Sequence, residues 1–538
     1  MQFRGKRTNT GQDCGSFPES AAQNTRGSAL SWGLTLAGMD AGEVDGVPVA
    51  WQELDGDVRA SLVFGAGARD EGVDQVGLNH LVQLLVYESV STEADQATTV
   101  VDTSFTASGT AAEVAEHLAE CCTALAELLV DDLEDLAEVA AQADASDRVI
   151  SLDLLMDSPH RDPWGSLLAR RLGSAGAGVL RWPPIDYTDF TAAEVRAHVA
   201  RYFTGGNAAL ALTRGPWPDL RLPLPSGERP ARADTVPVRP GGGWYADEVA
   251  APGIAVTATA GPHAHLVFAL LHRRVSEALK AAGIDAWGTP WYTPVGALTV
   301  QLGLGLEFSG KRGRDAAGAA EVLWQALRSL AEQPVPAADL EWAVHWHDGD
   351  AAEVPEEVRL LLERQGKGDL LRDAAALEQV GGQARAELLG VFDGAAPAEV
   401  AEAARLTPAD VRSAVASWLH TALVVVPVGT VADLAGLARL DCPTGTFVPQ
   451  GTVLGPSLWR RLGGGAQERL VLAIDGIHHV RRDGSVHPFP TNDAILVEQG
   501  KQVFLGNIRH GCLVDVSGLA EAKALAVALA PRRWRRTD

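Results

Sequence analysis

The chain has little cysteine, little positive charge and no long apolar run, and each shortage narrows its role. Five cysteines, Cys14, Cys121, Cys122, Cys442 and Cys512, are scattered over 538 residues. So small and odd a set excludes a fold built on disulfides and suits a reducing cytoplasm, where the protein is expected. Lys and Arg number 45 against 69 Asp and Glu, a formal charge of −24. That balance excludes a nucleic-acid backbone as the main partner and suits a basic peptide or a cationic protein face, although solubility alone also accounts for it. No uninterrupted apolar stretch reaches the length of a membrane span. Residues 1–25 carry no apolar segment after Arg4, Lys6 and Arg7, so no secretory leader is expected. Phosphate-binding glycine loops and the G-x-S-x-G turn of serine hydrolases are also missing.

A chain of this length implies several domains. Composition and pattern divide it into a flexible tail over 1–41, a first domain over 42–215 and a Pro/Gly-rich linker over 216–245. A second domain over 246–430, another linker over 431–466 and a β-rich module over 467–538 complete it. In the first domain, 47–54 and 58–64 alternate as paired strands across Asp55-Gly56, a favoured hairpin turn. A helix carrying His80, a strand over 98–106 and a helix over 111–130 follow. The second domain restarts with a strand over 253–260, a helix over 263–282 and a strand over 297–308. In the last module, strands over 469–474, 478–481 and 494–498 precede an Ala-rich helix over 518–529, an order similar to a pleckstrin-homology-like module.

An internal repeat supports duplication. Residues 191–203, T-A-A-E-V-R-A-H-V-A-R-Y-F, align with 407–419, T-P-A-D-V-R-S-A-V-A-S-W-L. Each copy opens with a Thr N-cap and an acid three residues later, a capping-box spacing. An apolar strand follows each helix, over 208–213 and 422–428.

Residues 77–85 read G-L-N-H-L-V-Q-L-L. Two histidines four apart on a helix project to one side and can bind a metal, and a neighbouring carboxylate can take a proton from the bound water. Here His80 fills the first ligand position, the base position holds Gln83, and the second ligand position holds Leu84. The segments V-D-G-V-P-V-A-W-Q-E and V-R-A-S-L-V-F-G-A-G-A-R-D-E with the acid Glu71 come before this helix, and R-Y-F-T-G-G-N-A-A-L-A-L comes later. In that order, over 45–430, the chain resembles the pitrilysin/insulinase family of zinc peptidases, whose signature is H-x-x-E-H.

The resemblance implies an α+β fold of two tandem peptidase-like α/β domains. Their mainly antiparallel sheets would face each other as a clamshell, with the pleckstrin-homology-like module appended. It also implies a third ligand on a downstream helix, over 136–146, where Glu138 and Asp144 are the nearest acids. One imidazole cannot hold a catalytic zinc, which takes three protein ligands and a water. The expectation is therefore a pseudo-peptidase with no cofactor and no catalytic residue, binding a peptide or a protein. Candidate partners are an active homologous peptidase subunit or a second copy; family precedents include non-catalytic subunits of a processing peptidase and core subunits of a respiratory complex.

Other residues remain open to two readings. A metal hydrolase with rearranged ligands would use His80, His117 and Asp144 and require zinc. His117 lies four residues before Cys121, beside Cys122, yet no second pair completes a ligand set and cysteine is often a small core residue. Trp287, Trp291 and Tyr292 stand where the family grips peptide in its second half; they either stack on a bound segment or are buried against the facing half. The basic end, P-R-R-W-R-R, either makes a weak contact with anionic lipid or meets the chain's own carboxylates.

Overall fold

The computed structural model describes residues 40–90, 96–129, 161–232, 235–296, 298–309, 315–347, 380–382, 384–385, 405–455, 468–530 and 532–536. The first half builds a six-stranded sheet from β1 (Asp40–Val44), β2 (Val47–Trp51), β3 (Val58–Phe64), β4 (Gln96–Thr98), β5 (Thr103–Gly109) and β6 (Ala208–Leu212). Their order is β1-β2-β6-β3-β5-β4. The expected hairpin between the first two predicted strands is not made. Instead β6 enters between them, parallel to β2 and antiparallel to β3. Its sequence explains the place: all five residues of A-A-L-A-L are buried, as a strand covered on both faces requires. The predicted strand over 98–106 is broken into β4 and β5 by a turn in which Thr99 donates from Oγ1 to Asp102 (2.7 Å).

Three helices cover one face of this sheet: α1 (Leu78–Ser89), α2 (Ala111–Glu127) and α4 (Ala192–Tyr202). Strand alternation sends Leu62, Phe64 and Phe105 toward Leu81, Leu85, Leu118, Leu125 and Val199 in one apolar core. Between α2 and α4 in sequence lies α3 (Pro163–Leu172), which leaves the first sheet and packs on the second.

The second half repeats the first. Its sheet contains β7 (Gly243–Asp247), β8 (Gly253–Thr259), β9 (Ala286–Pro294), β10 (Thr299–Phe308) and β11 (Leu423–Pro427), in the order β7-β11-β8-β10-β9. As in the first half, the last strand slips between the first two, parallel to β7 and antiparallel to β8. The helices α5 (Pro262–Ala281), α6 (Ala316–Glu332), α7 (Ala337–His347) and α8 (Pro408–Leu419) belong to this half. The repeat seen in sequence marks the equivalent α4–β6 and α8–β11 units. Both helices are closed by capping boxes, Thr191 with Glu194 and Thr407 with Asp410. Strand β9 had no sequence signal of its own. Its pairing with β10 lays Trp291 across Gly303, where an added Cβ would fall 1.8 Å from the indole. The glycine-rich run of β10 is therefore a bed for an aromatic ring.

The last segment forms two four-stranded sheets. One has the order β12-β13-β14-β15, from β12 (Thr452–Leu454), β13 (Arg469–Ala473), β14 (Gly476–Val480) and β15 (Val486–Pro490). The other is β18-β17-β16-β19, from β16 (Ala494–Gln499), β17 (Gln502–Asn507), β18 (Cys512–Asp515) and β19 (Trp534–Arg536). They share a core of Leu470, Ile477 and Phe489 with Leu496, Leu505 and Val516. The Ala-rich helix predicted over 518–529 shrinks to α9 (Ala522–Ala526), so the feature behind the pleckstrin-homology-like expectation is not formed at that length. The basic end is β19, parallel to β16. Its arginines meet the chain's own carboxylates: Arg532 binds Glu194 (2.6 Å) and Arg533 binds Asp74 (2.7 Å).

Helix α3 joins all three parts. Arg170, Arg171 and, in the turn over Gly176–Arg181, Arg181 are each no more than 1% exposed. Arg181 pairs with buried Asp247 at 2.8 Å, and Asp247 also accepts from Ser166 Oγ (2.6 Å) and the Leu513 amide (3.1 Å). Arg171 donates to the carbonyls of Arg239 (2.6 Å) and Pro240 (2.9 Å), and Arg170 to that of Leu440 (2.7 Å). Stripping one partner from such a pair leaves a buried charge uncompensated, which costs about 3–5 kcal/mol, whereas an exposed pair costs about 0–1 kcal/mol. Asp247→Ala is therefore expected to lower unfolding stability by about 3–5 kcal/mol and Arg328→Ala, at an exposed pair with Glu332, to leave it nearly unchanged. Denaturant unfolding followed by tryptophan fluorescence checks this, and equal small effects would contradict it.

Candidate functional site

Helix α1 is set by the turn before it. Strand β3 ends at Phe64, and Gly67 brings the backbone so close to residues 100–102 that an added Cβ would lie 2.5 Å from the Val101 amide. Gly77 caps α1 at φ +99°, the left-handed region that favours glycine. The carboxylate of Glu71 then holds the helix start, accepting from the Gly77 amide (2.9 Å), the Asn79 amide (2.7 Å) and Asn79 Nδ2 (3.0 Å). Asn79 Oδ1 in turn meets His198 Nε2 of α4 at 2.8 Å. Burial pushes Glu71 up to about 7, against these hydrogen bonds, and pushes His198 down to about 3.

The three degenerate positions follow on this fixed helix. His80 is half-buried, with its ring centroid 6.2 Å from that of Tyr187. Its Nδ1 lies 2.9 Å from Gln83 Oε1, which also accepts from Thr98 Oγ1 at 2.7 Å. An amide oxygen only accepts, so the proton sits on His80 Nδ1. Gln83 is thus a buried tie between α1 and β4, uncharged at every working pH. Leu84 packs on the core of the first half and has no lone pair. At positions 80, 83 and 84 the helix thus carries one imidazole, one neutral amide and one aliphatic side chain.

Of the rearranged ligand set, only His80 and His117 lie among the described residues. His117 is buried on α2 with Nε2 3.4 Å from Cys121 Sγ, and burial lowers its pKa. Burial also pushes Cys121 up to about 12, the behaviour of a core thiol. Neither His80 nor His117 belongs to any group of three potential metal ligands among the described residues. Glu138 and Asp144 lie outside the described residues.

The three aromatics of β9 are not brought to one surface. Trp291 stacks on Trp164 of α3, centroids 5.8 Å apart. Tyr292 points to the opposite face of the strand and stacks on His265, centroids 4.0 Å apart. Trp287 is left 49% exposed.

One cluster escaped the sequence reading. Cys442, His487 and Cys512 lie on three separate segments and share no local spacing, yet their donor atoms lie within 4.8 Å of one another. The only prior signal was two cysteines standing apart from the helical pair.

No protein-family profile and no curated protein matches the chain by sequence. Its fold does match solved structures. A chain of complex III2 from Candida albicans, with Inz-5 bound, superposes at a TM-score of 0.53 and 12% identity, covering 72% of this chain and 95% of that one. A peptidase M16 inactive domain from Pseudomonas fluorescens gives 0.52 and 14%, covering 73% and 99%. Pitrilysin gives 0.50 and 11%, covering 71% of this chain and 44% of pitrilysin. The chain therefore has the fold of the pitrilysin/insulinase-like, or M16, peptidases, as the order of motifs around His80 implied. The positions that the resemblance sets against that family's two histidines and glutamate hold His80, Leu84 and Gln83.

The Glu71 network makes a pH prediction. Folded, Glu71 keeps its proton to about pH 7, against 4.5 ordinarily. Between those values the folded state binds more protons, so this group's contribution falls as pH rises. His198, held near 3 against 6.5, works in the opposite direction, its contribution rising with pH between those values. Glu71→Gln removes only the falling part. The variant's stability relative to the native chain is therefore expected to climb from about pH 5 to 7, measured by urea midpoints across that range. A difference constant with pH would mean Glu71 is ionised throughout.

Proposed function

We propose that this chain is a non-catalytic, peptidase-like protein that binds a peptide or a protein and scaffolds an assembly. The observation that supports it most is the state of the signature helix. The base position is a neutral amide held by His80 and Thr98, and the second ligand position is a partly buried leucine packed against the core. Hydrolysis by this fold's zinc chemistry needs both groups in the hydrophilic state they have lost. No metal at the His80 position is part of the proposal. An inactive M16 domain and a chain of complex III2 share the fold, which supports a role for it other than hydrolysis.

The two halves act in this proposal as a clamshell around the bound segment, with Trp287 as the aromatic left for contact. Exposed aromatics in a groove are frequent binding anchors. The acidic charge of −24 favours a basic peptide or cationic face. An active homologous peptidase or a second copy remains the natural protein partner, and the cytoplasm its place. Among the described residues, no helix is long and apolar enough to cross a membrane.

Fluorescence anisotropy with a labelled pool of basic peptides, in parallel with sedimentation of the full chain, checks the proposal. Saturable binding, weakened by Trp287→Ala about tenfold, is expected. A chain that binds no peptide pool and stays monomeric at every concentration would overturn it.

A further inference from the structure

We propose that Cys442, His487 and Cys512 form a zinc site, with the fourth coordination position open to the cavity beside them. Cys512 Sγ lies 3.4 Å from His487 Nε2. Tetrahedral zinc with bonds of about 2.3 Å to sulfur and 2.0–2.1 Å to nitrogen sets such a pair about 3.6 Å apart. All three donor atoms fall within 4.8 Å of one another, so an ion at their centre needs only small side-chain adjustments. Two thiolates and an imidazole are a donor set that favours zinc over hard cations.

The surroundings fit the same ion. His487 is 1% exposed, and no hydrogen-bond partner reaches its Nδ1. A buried imidazole whose hydrogen-bond contact is a thiol lacks a partner of its own strength. Arg170, also 1% exposed, donates from Nη1 to Cys442 Sγ at 3.2 Å. Its other acceptors are the carbonyls of Leu440 and His510, and among the described residues no carboxylate pairs with it. A metal-bound Cys442 thiolate would give this guanidinium a stronger acceptor than a thiol, and the hydrogen bond would orient the sulfur. Two thiolates and a divalent ion sum to zero charge, so the group adds no unpaired charge to the interior.

The cavity is about 410 Å³ and is lined by all three donors. Glu468, paired with His479 at 2.8 Å, Glu248 and Asp441 lie on its wall. It gives an ion a way in and leaves room for a water at the fourth position. Cys442 follows the second half, while His487 on β15 and Cys512 on β18 belong to the two sheets of the last module. The ion would therefore fasten that module to the peptidase-like body, far in sequence from the His80 helix.

The test is zinc per chain by elemental mass spectrometry on the full protein, prepared without chelator or affinity-tag nickel. About one equivalent is expected in the native chain and in His80→Ala, and less than about a tenth in Cys512→Ser and His487→Ala. If those variants fail to fold, cobalt replacement in the native chain decides the matter. A tetrahedral thiolate site shows intense visible ligand-field bands and sulfur-to-cobalt charge transfer. Zinc that persists in Cys512→Ser, or is lost in His80→Ala, would overturn the proposal. So would a native chain that stays metal-free after zinc incubation, with Cys442 and Cys512 either freely alkylated or joined as a disulfide. Failure of peptide binding would leave this result untouched, and loss of zinc would leave peptide binding untouched.

Discussion

The pair between Arg181 and Asp247 holds the architecture together. Both groups are withdrawn from water, and a charge in that position is tolerable only when it is paired and its remaining lone pairs are filled. Asp247 meets that condition by taking donors from three places at once: Arg181 after α3, Ser166 within α3, and the Leu513 amide of the last module. Arg170 and Arg171 extend the arrangement by spending their guanidinium hydrogens on carbonyls of the second half. Helix α3 thus lies on the face of the second sheet that its own helices leave uncovered, seating Leu167 among Tyr245, Ala255 and Val425. Polar contacts fix where the parts meet, and apolar contacts provide the area.

That arrangement separates fold from chemistry. The Glu71–Asn79–His198 network fixes the direction of α1. At the helix start the carboxylate satisfies amides that α1 would otherwise leave unpaired. Gln83 is a strut between α1 and β4, and Leu84 is a partly buried residue packed against the core. Fold and function can part in this way because stability lives in packing and caps, while hydrolysis lives in three or four side chains.

Much of this was legible in the sequence, and what was not has physical causes. Capping boxes at Thr191 and Thr407 are local, so the spacing alone located both helices. The duplicated helix–strand unit was equally plain. Strand order was not: the insertion of β6 between β2 and β3 is a pairing across more than a hundred residues, which alternation cannot reveal. A two-residue turn signal at Asp55-Gly56 outweighed that unseen neighbour. Strand β9 was hidden because its aromatics and prolines break alternation, and nothing in the order of residues shows that the glycines of its partner make room for Trp291. The Cys442, His487 and Cys512 cluster and the Glu71 network both depend on tertiary proximity. No spacing rule finds them.

The most direct test of the central claim, that the signature helix no longer supports hydrolysis, is isotope incorporation. The full chain is incubated with a broad peptide pool in ¹⁸O-labelled water, and new carboxyl termini are read by mass spectrometry. No label above the level of a denatured control is the predicted result. Label that appears with time, is suppressed by a chelator and vanishes in His80→Ala would contradict it and return the chain to the peptidases.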